Sequence, residues 1–447
     1  MTPLAVTRLR QNRRSGVSFA NTMLVVVAVL ITLVGTEIYS TFFGARPGTG
    51  PEVLATLVPL AGMVALYSRH LLRGAVASPE LTALALIAPI SVLWSIHPPT
   101  TIERSLPLLV ISALGMVLGS LATMRKLIYV FAGVGAFATV SSLAAIVLVP
   151  ESQGLGAWEN TWNGVYNHKN TLGSAAMLAF INLSSAALVS RTRMRLAFAL
   201  LAALAFPLLI GSESRTSQIM ATLAIIGLAS GVVIRRYALL WSVGYLVLFA
   251  AFIAVASFVI TSPLAEPLFD HLDRKPTLSG RIPLWEIVWP MAQEEIWLGY
   301  GYAAFWRPDA AHVVAMASNP ALLFSPHYSH NGALEILLNA GVLGFGLLTW
   351  AILRSTLSAF TIFRLSTDRV PAICLFVILI GILSLNITEN FLLVRTSIGW
   401  VFFVALVVRL SLSAREVKAS GTHGREAGMR RDIRGFGARA ERPMQRA

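Results

Sequence analysis

The chain alternates between long apolar stretches and short polar segments along most of its length. An apolar stretch of roughly 20 residues is long enough to cross a hydrocarbon core of about 30 Å as an α-helix. This pattern predicts an all-α integral membrane protein with about 12 transmembrane helices. The predicted spans are 19–43, 53–69, 81–96, 105–122, 127–149, 171–190, 195–211, 218–234, 237–261, 331–353, 371–387 and 391–411.

The polar segment 262–330, between the ninth and tenth predicted spans, is by far the longest. Within it Leu284 and Val288 recur at helical spacing beside Glu286, which predicts an amphipathic helix lying in the membrane interface. The predicted divisions are a cytoplasmic segment 1–18, helices 1–9 over 19–261, a large periplasmic loop 262–330, helices 10–12 over 331–411, and a disordered basic cytoplasmic tail 412–447.

Composition supports the membrane class and bears on possible partners. Hydrophobic residues make up 56% of the chain, charged residues 13%, and the mean hydropathy is +0.71. A soluble domain carries about 25% charged residues. The net charge of +14 resides mainly in short clusters between apolar stretches and in the tail, where it suits anionic lipid headgroups rather than nucleic acid. Cys374 is the single cysteine, so no intrachain disulfide forms.

The basic residues also predict the orientation of the chain. With the N-terminus inside, 26 of the 35 Lys and Arg residues lie in cytoplasmic segments. The opposite orientation would place those 26 outside, against the positive-inside rule. We therefore predict that both termini are cytoplasmic and that the loop 262–330 faces outward.

Two arginines stand out on the predicted outer face. Arg215 lies in the short hairpin GSESRTSQ between two apolar stretches, where it is either an ordinary snorkelling arginine or part of a binding site. Arg281 begins the predicted amphipathic helix. It is either a solvated helix-start residue or one of two ligands, with the helix N-terminus, for an anion.

The segment SPHYSHNG holds two histidines, His327 and His330, immediately before an apolar span. A histidine pair suggests a metal site, but no acidic or cysteine residue stands at matching spacing, so neither metal nor cofactor is predicted. Two arginines could instead hold a lipid diphosphate, and a neutral histidine beside them could act as a base near pH 7. The chain lacks an Asp-x-Asp pair, a P-loop and a Gly-x-Ser-x-Gly elbow.

These segments together resemble the O-antigen ligase and polymerase superfamily, and within it the exopolysaccharide polymerases of the succinoglycan type. The resemblance rests on five motifs in the family's order: NHKNTLG at 167–173, SESRTS at 212–217, SGRIPLWE at 279–286, GYGYAAFW at 299–306 and HNGALEILLNAGVLG at 330–344. Each motif alone is weakly specific, whereas five in order are fairly specific. The first 150 residues contribute only hydropathy.

The resemblance implies a metal-independent glycosyltransferase of the bacterial inner (plasma) membrane that uses an undecaprenyl-diphosphate-linked glycan as donor. Arg215 and Arg281 match the family's diphosphate-binding arginines, and His330 matches its proposed base. The implied partners are that donor, a glycan acceptor, membrane lipid and a chain-length regulator. The other candidate substrate-binding residues are His168 and Lys169, of the motif typical of the exopolysaccharide branch, His327, and Trp285, which suits either an aromatic belt or stacking on sugar rings.

Two other functions stay open at this point. A ligase that moves the same donor onto lipid A core or a protein shares all five motifs, and only the His168–Lys169 motif favours a polymerase. A transporter or flippase of lipid-linked sugars would show internal repeats or charges near the membrane midplane. Arg395 departs from the family pattern because it falls inside the predicted last span, with Glu389 or Glu37 as its expected partner.

Overall fold

The computed structural model describes residues 58, 61–62, 64–154, 161–261, 281–320, 322 and 325–440. These residues form helices and no strand, which confirms the predicted all-α integral membrane class. In chain order the helices are α1 (Ser68–Ala77), α2 (Pro79–Ile90), α3 (Pro98–Leu121), α4 (Met124–Leu148), α5 (Lys169–Val189), α6 (Thr192–Gly211), α7 (Arg215–Val233), α8 (Ala238–Thr261), α9 (Arg281–Glu294), α10 (Ala311–Ala317), α11 (Gly332–Leu365), α12 (Val370–Thr388) and α13 (Ile398–Ala440).

Within the described part, nine helices are long and apolar enough to cross a membrane, namely α3–α8 and α11–α13. Helices α1 and α2 form a tenth, broken unit that bends by 107°. The bend falls at Ser78, whose extended backbone precedes Pro79 at the first position of α2, because a residue before proline is disfavoured in the helical region. The predicted first span, 19–43, and nearly half of the second lie outside the described residues, as do the segment 1–18 and Glu37.

Short connections make successive spanning helices run in alternating directions, so the bundle has two ends. At one end α3, α5, α7, α11 and α13 begin and α4, α6, α8 and α12 end; we call it the site end. The opposite, basic end carries clustered arginines that bind backbone carbonyls and acids of neighbouring helices. There Arg125 bonds to Val189 and Asp368, and Arg369 bonds to the carbonyls of Arg235 and Arg236.

The centre of the bundle is formed by α12 and the first half of α13. From Ala372 to Leu379 every residue of α12 has a fully buried side chain. Helix α13 packs against α3, where the indole of Trp400 donates a 2.8 Å hydrogen bond to the Ser112 hydroxyl. Helices α6 and α8 lie at the periphery with large apolar side chains exposed, as expected of surfaces that contact lipid. The buried centre of the bundle therefore leads, along α12, to the site end.

The described residues 281–320 pack onto the site end as a second, smaller apolar cluster. Leu284 and Val288 of α9 pack with Leu334 and Leu338 of α11. Helix α11 is interrupted at Gly341, whose φ of 59° and close approach to the Trp297 backbone exclude a side chain. The loop after α9 satisfies the freed backbone groups, since Val342 N–H donates to Ile296 O at 2.8 Å and Tyr300 N–H to Leu338 O at 2.8 Å.

One prediction about the last helix is wrong. Helix α13 begins at Ile398 rather than near 391, so Arg395 lies in the segment 389–397 and not inside a span. The Asn386 side chain accepts hydrogen bonds from the Phe391 and Leu392 amides and holds this segment as a turn, and Leu393 has a φ of 58° that no helix contains.

Helix α13 continues to Ala440. The disorder expected for the basic tail 412–447 stays a prediction. Residues 441–447 lie outside the described part, as does the beginning of the long loop at 262–280.

Candidate functional site

One carboxylate at the site end gathers the candidate side chains. Glu389, directly after α12, accepts through Oε1 from Arg281 at 2.5 Å and from the side-chain amide of Asn170 at 3.3 Å. Through Oε2 it accepts from the Tyr328 hydroxyl at 3.3 Å and contacts His330 Nδ1 at 3.3 Å. The side chains of Glu389 and Arg281 are each only 12% exposed. Residues from α5, α9, the segment before α11 and the end of α12 therefore meet at Glu389.

The surroundings of Glu389 favour its ionised form. Burial alone would raise the pKa of this carboxyl, but the hydrogen bond from His330 and the charge of Arg281 outweigh burial and lower the pKa below its ordinary value. The nearby phenol behaves oppositely, since burial and then the Glu389 carboxylate raise the pKa of Tyr328. At neutral pH, Glu389 is therefore an acceptor and Tyr328 a donor.

This charge state determines which nitrogen of His330 carries the proton. An ionised carboxylate only accepts hydrogen bonds, so Nδ1 facing Glu389 is the protonated nitrogen in the neutral imidazole. Nε2 is then the basic nitrogen. The ring also lies against Tyr328 with centroids 4.0 Å apart. In a neutral His330 the contact with Glu389 therefore leaves Nε2 as the nitrogen able to accept a proton.

The backbone places His330 at a turn immediately before α11. Its φ is 50°, a left-handed conformation that is uncommon for a residue with a side chain. Asn331 follows as the helix cap, with Oδ1 accepting from the amides of Ala333 at 3.0 Å and Leu334 at 3.2 Å. Such strain persists only where surrounding contacts hold it, and here the helix cap and Glu389 hold both sides of the residue.

The segment before α5 brings His168 and Lys169 to the same region. The His168 side chain caps α5, with Nδ1 accepting from the backbone N–H of Asn170 at 3.1 Å. Burial lowers the pKa of His168; Glu389 opposes this effect, while His330, Lys169 and Arg281 reinforce it. His168 is two residues before Asn170, whose side chain donates to Glu389. Its imidazole is neutral at pH 7 and serves as a hydrogen-bonding residue.

Arg215 lies at the next helix start rather than on Glu389. It begins α7, is exposed, and donates from Nη1 to Gln218 Oε1 at 3.1 Å. The turn before it packs directly on α5, because Gly173 is in contact with the side chains of Ser212 and Ser214. The structure therefore brings Arg215 to the α5 side of the site without a direct contact to Arg281.

The link between these two parts of the site is an ion pair. Lys169 Nζ lies 3.9 Å from Glu213 Oε2, two residues before Arg215. Glu213 has a φ of 50°, so this turn is strained in the same way as the one at His330. Arg215, at the start of α7, is thus linked to the start of α5 through Glu213 and Lys169. Arg281, at the start of α9, is linked to it through Glu389 and Asn170.

Trp285 and His327 differ in what they contact. The Trp285 indole donates to the Ser329 carbonyl at 2.8 Å and so ties α9 to the His330 turn. The Ser329 amide in turn donates to the buried Glu335 carboxylate at 2.9 Å. His327 is exposed, and no hydrogen bond or ion pair joins it to the Glu389 cluster within the described residues. Trp285 therefore fits a positioning residue, and His327 is set apart from His330.

Sequence reasoning missed the central residue of this site. Glu389 was considered only as a partner for Arg395, yet it binds Arg281 and His330; Tyr328 and Asn170 were not singled out. The available signal was charge balance, because two arginines at an outer membrane surface need a nearby anion. In the chain 161–261 and 281–440, apart from 321 and 323–324, no three His, Cys, Asp or Glu side chains form a group that could hold a metal ion.

A comparison with protein families bears on this arrangement. Residues 200–349 match the family model described as O-Antigen ligase. This match confirms the resemblance to the O-antigen ligase and polymerase superfamily. The O-antigen ligase segment contains Arg215, Arg281 and His330, whereas His168 and Glu389 lie outside it. No curated protein matches the chain.

The O-antigen ligase match also supports general statements about activity and location. It supports a glycosyltransferase-like ligase or polymerase that acts on a lipid-linked glycan and an acceptor. With several apolar helices, it indicates a multi-pass membrane protein.

Proposed function

We propose that the chain is a polymerase that joins undecaprenyl-diphosphate-linked oligosaccharide repeat units into exopolysaccharide at the outer face of the bacterial inner membrane. The observation that carries this proposal is the position of Glu389, which touches both His330 and Arg281. One carboxylate thereby fixes a base and a phosphate-binding cation side by side. That pairing suits glycosyl transfer from a lipid diphosphate.

In the proposed reaction, Nε2 of His330 takes the proton of an acceptor hydroxyl while its oxygen attacks the anomeric carbon of the donor. The new oxygen–carbon bond forms as the bond between the anomeric carbon and the phosphate oxygen breaks. Undecaprenyl diphosphate leaves with both electrons of that bond. Arg281 and Arg215 neutralise the charge that develops on it, which is the largest expected contribution to the rate. An α-linked donor would give a β-linked product by in-line attack.

The proposed location follows from the distribution of charge over the two ends. The arginines of the basic end belong to segments that the positive-inside rule assigns to the cytoplasm. The site end then faces outward, on the side where the long segment 262–330 emerges. The substrate's diphosphate would lie at headgroup depth beside the starts of α5 and α7.

The choice of polymerase over ligase rests on the His168–Lys169 motif. His168 caps α5, and Asn170 of the same motif donates to Glu389, which supports a role for this motif next to the proposed base. A ligase would use the same base and the same arginines with lipid A core as acceptor. The two activities therefore differ in the acceptor and share the chemistry.

The test is an assay with the purified full-length protein in lipid vesicles and an undecaprenyl-diphosphate-linked repeat unit. A polymerase yields a ladder of products on a gel, and the ladder persists with a chelator present. A product made only when lipid A core is added would identify a ligase instead. Movement of the lipid-linked repeat across the vesicle without a new glycosidic bond would identify a transporter and overturn the proposal.

A further inference from the structure

A second pair of arginines lies at the site end, away from Glu389. Arg104 is on the first turns of α3, and Arg395 is in the segment 389–397. Arg104 Nη1 donates to Ala303 O at 2.8 Å, and the hydroxyl of the neighbouring Tyr302 donates to the carbonyl of Leu393, two residues before Arg395, at 3.0 Å. The sequence singled out Arg395 without finding its environment.

Neither arginine forms an ion pair within the described part of the chain, although the charge of the adjacent Glu103 acts on Arg104. Within the described residues neither Arg104 nor Arg395 has a carboxylate within 4.0 Å, whereas Arg281 and Arg354 each have one. Arg104 makes one hydrogen bond to the protein there, although a guanidinium carries five N–H donors. Both side chains are half-buried. A partly desolvated cation without a counter-charge is costly, so two together point to an anionic ligand.

The backbone that carries this pair is held firmly. Thr101, one turn before Arg104, donates from Oγ1 to Tyr302 O at 3.1 Å, so one face of α3 binds two successive carbonyls. The amide of Ala303 donates to Asn339 Oδ1 at 2.5 Å, and Ala303 has a φ of 55°. The phenol of Tyr302 is buried, and burial raises its pKa, while Arg395 and then Arg104 partly oppose that rise. Arg104 and the segment that carries Arg395 therefore meet at Tyr302 and Ala303.

The second pair and the Glu389 cluster lie at opposite ends of one short segment. Glu389 and Arg395 are six residues apart, a span of at most about 20 Å. In the proposed polymerisation both substrates are lipid-linked diphosphates, so two such groups must sit on either side of the reacting atoms. We propose that Arg104 and Arg395 bind the diphosphate of the second substrate, the lipid-linked acceptor. This inference rests on the proposed function.

The test counts binding sites and needs no turnover. Full-length protein in detergent is titrated with farnesyl diphosphate as the probe. The wild-type protein should bind two equivalents, and Arg281→Gln should bind one. Arg104→Gln and Arg395→Gln should each weaken the other equivalent at least tenfold. Because the Arg395 side chain makes no hydrogen bond to the described protein, its variant tests the site even if Arg104→Gln fails to fold.

The matched control is Arg307→Gln. Arg307 lies in the same neighbourhood but is paired with Asp309, so its loss should leave both equivalents intact. Binding of a single equivalent by the wild-type protein, or unchanged binding in Arg395→Gln, would overturn the second site. Displacement of the second equivalent by phosphatidylglycerol at the same mole fraction would make it a membrane-lipid site and likewise reject the acceptor assignment. Displacement by inorganic pyrophosphate supports diphosphate recognition.

A product assay separates this inference from the proposed function. Two equivalents with no ladder from the lipid-linked repeat would retain the second site and reject the polymerase. A ladder formed by protein that binds only one equivalent would support the polymerase and reject the second site. If the wild-type protein binds two equivalents and forms a ladder, a repeat offered as a simple methyl glycoside should be a poorer acceptor for it than the lipid-linked repeat. Arg395→Gln should lose that preference.

Discussion

Replacing Glu389 by Gln removes one charge at the point where the site converges. Four side chains bind this carboxylate, and two of them, Arg281 and His330, carry the proposed chemistry. Gln is nearly isosteric, but its amide nitrogen is a donor and cannot face the N–H of His330 favourably. The substitution therefore disturbs both the tautomer of His330 and the counter-charge of Arg281.

The structure gives the size of both effects. Breaking a buried ion pair from one side costs about 3–5 kcal/mol, and the 12% exposure of Glu389 and Arg281 suggests the lower end of that range. A positioned base contributes roughly 10²–10⁴-fold to turnover, and losing its tautomer forfeits most of that. We expect Glu389→Gln to lower ladder formation per folded molecule by at least about 100-fold and to lower the melting temperature.

The matched control is Glu80→Gln at the basic end, where Glu80 pairs with Arg354 and its side chain is 3% exposed. That variant should lose stability while folded molecules retain turnover. Wild-type turnover in Glu389→Gln would refute the orienting role of Glu389. A pH series adds a check, because a lowered pKa stabilises the fold above about pH 4.5 and this gain is lost as pH falls through the folded pKa. The difference in melting temperature between wild type and Glu389→Gln should therefore shrink as pH falls below about 4.5.

Three further predictions concern the base, the donor site and the topology. His330→Gln should lose roughly 10²–10⁴-fold in turnover with donor binding retained, whereas His327→Gln should remain active; near-normal turnover in His330→Gln would reject the base. Arg215→Lys and Arg281→Lys should rescue poorly relative to the Ala variants, since lysine lacks the planar fork, and full activity in either would reduce that arginine to a general positive field. A reporter fused near Pro308 should be active only outside the cytoplasm, and cytoplasmic activity would invert the orientation.

Hydropathy predicted the described spanning helices well because each is a continuous apolar run. The pattern failed at 389–397, where Phe391, Leu392 and Leu393 read as the start of a span. There Asn386 binds two backbone amides and holds a turn instead, and no periodicity records such a bond. The break at Gly341 was also invisible, because its cause is a loop more than 40 residues earlier in the chain.

The site was predictable in part for a related reason. Arg281 and His330 stand in motifs with local chemical meaning, and the structure brings them to one carboxylate. That carboxylate is 59 residues beyond His330, and its role depends on how α12 ends beside α5 and α9. A lone glutamate after an apolar run carries no signal of its own, so Glu389 emerges only from the packing.

The interruption of α11 at Gly341 is the place where the C-terminal end of α9 is attached to α11. The residues that follow the C-terminal end of α9 bind α11 through Ile296 and Tyr300, while Arg281, at the N-terminal end of this 14-residue helix about 21 Å long, is held by Glu389. A tilt of only about 10° about that attachment would carry Arg281 by about 3.6 Å, enough to separate it from Glu389. A substitution at Gly341 that shifts this attachment would therefore move Arg281 away from the place where the phosphate is proposed to bind.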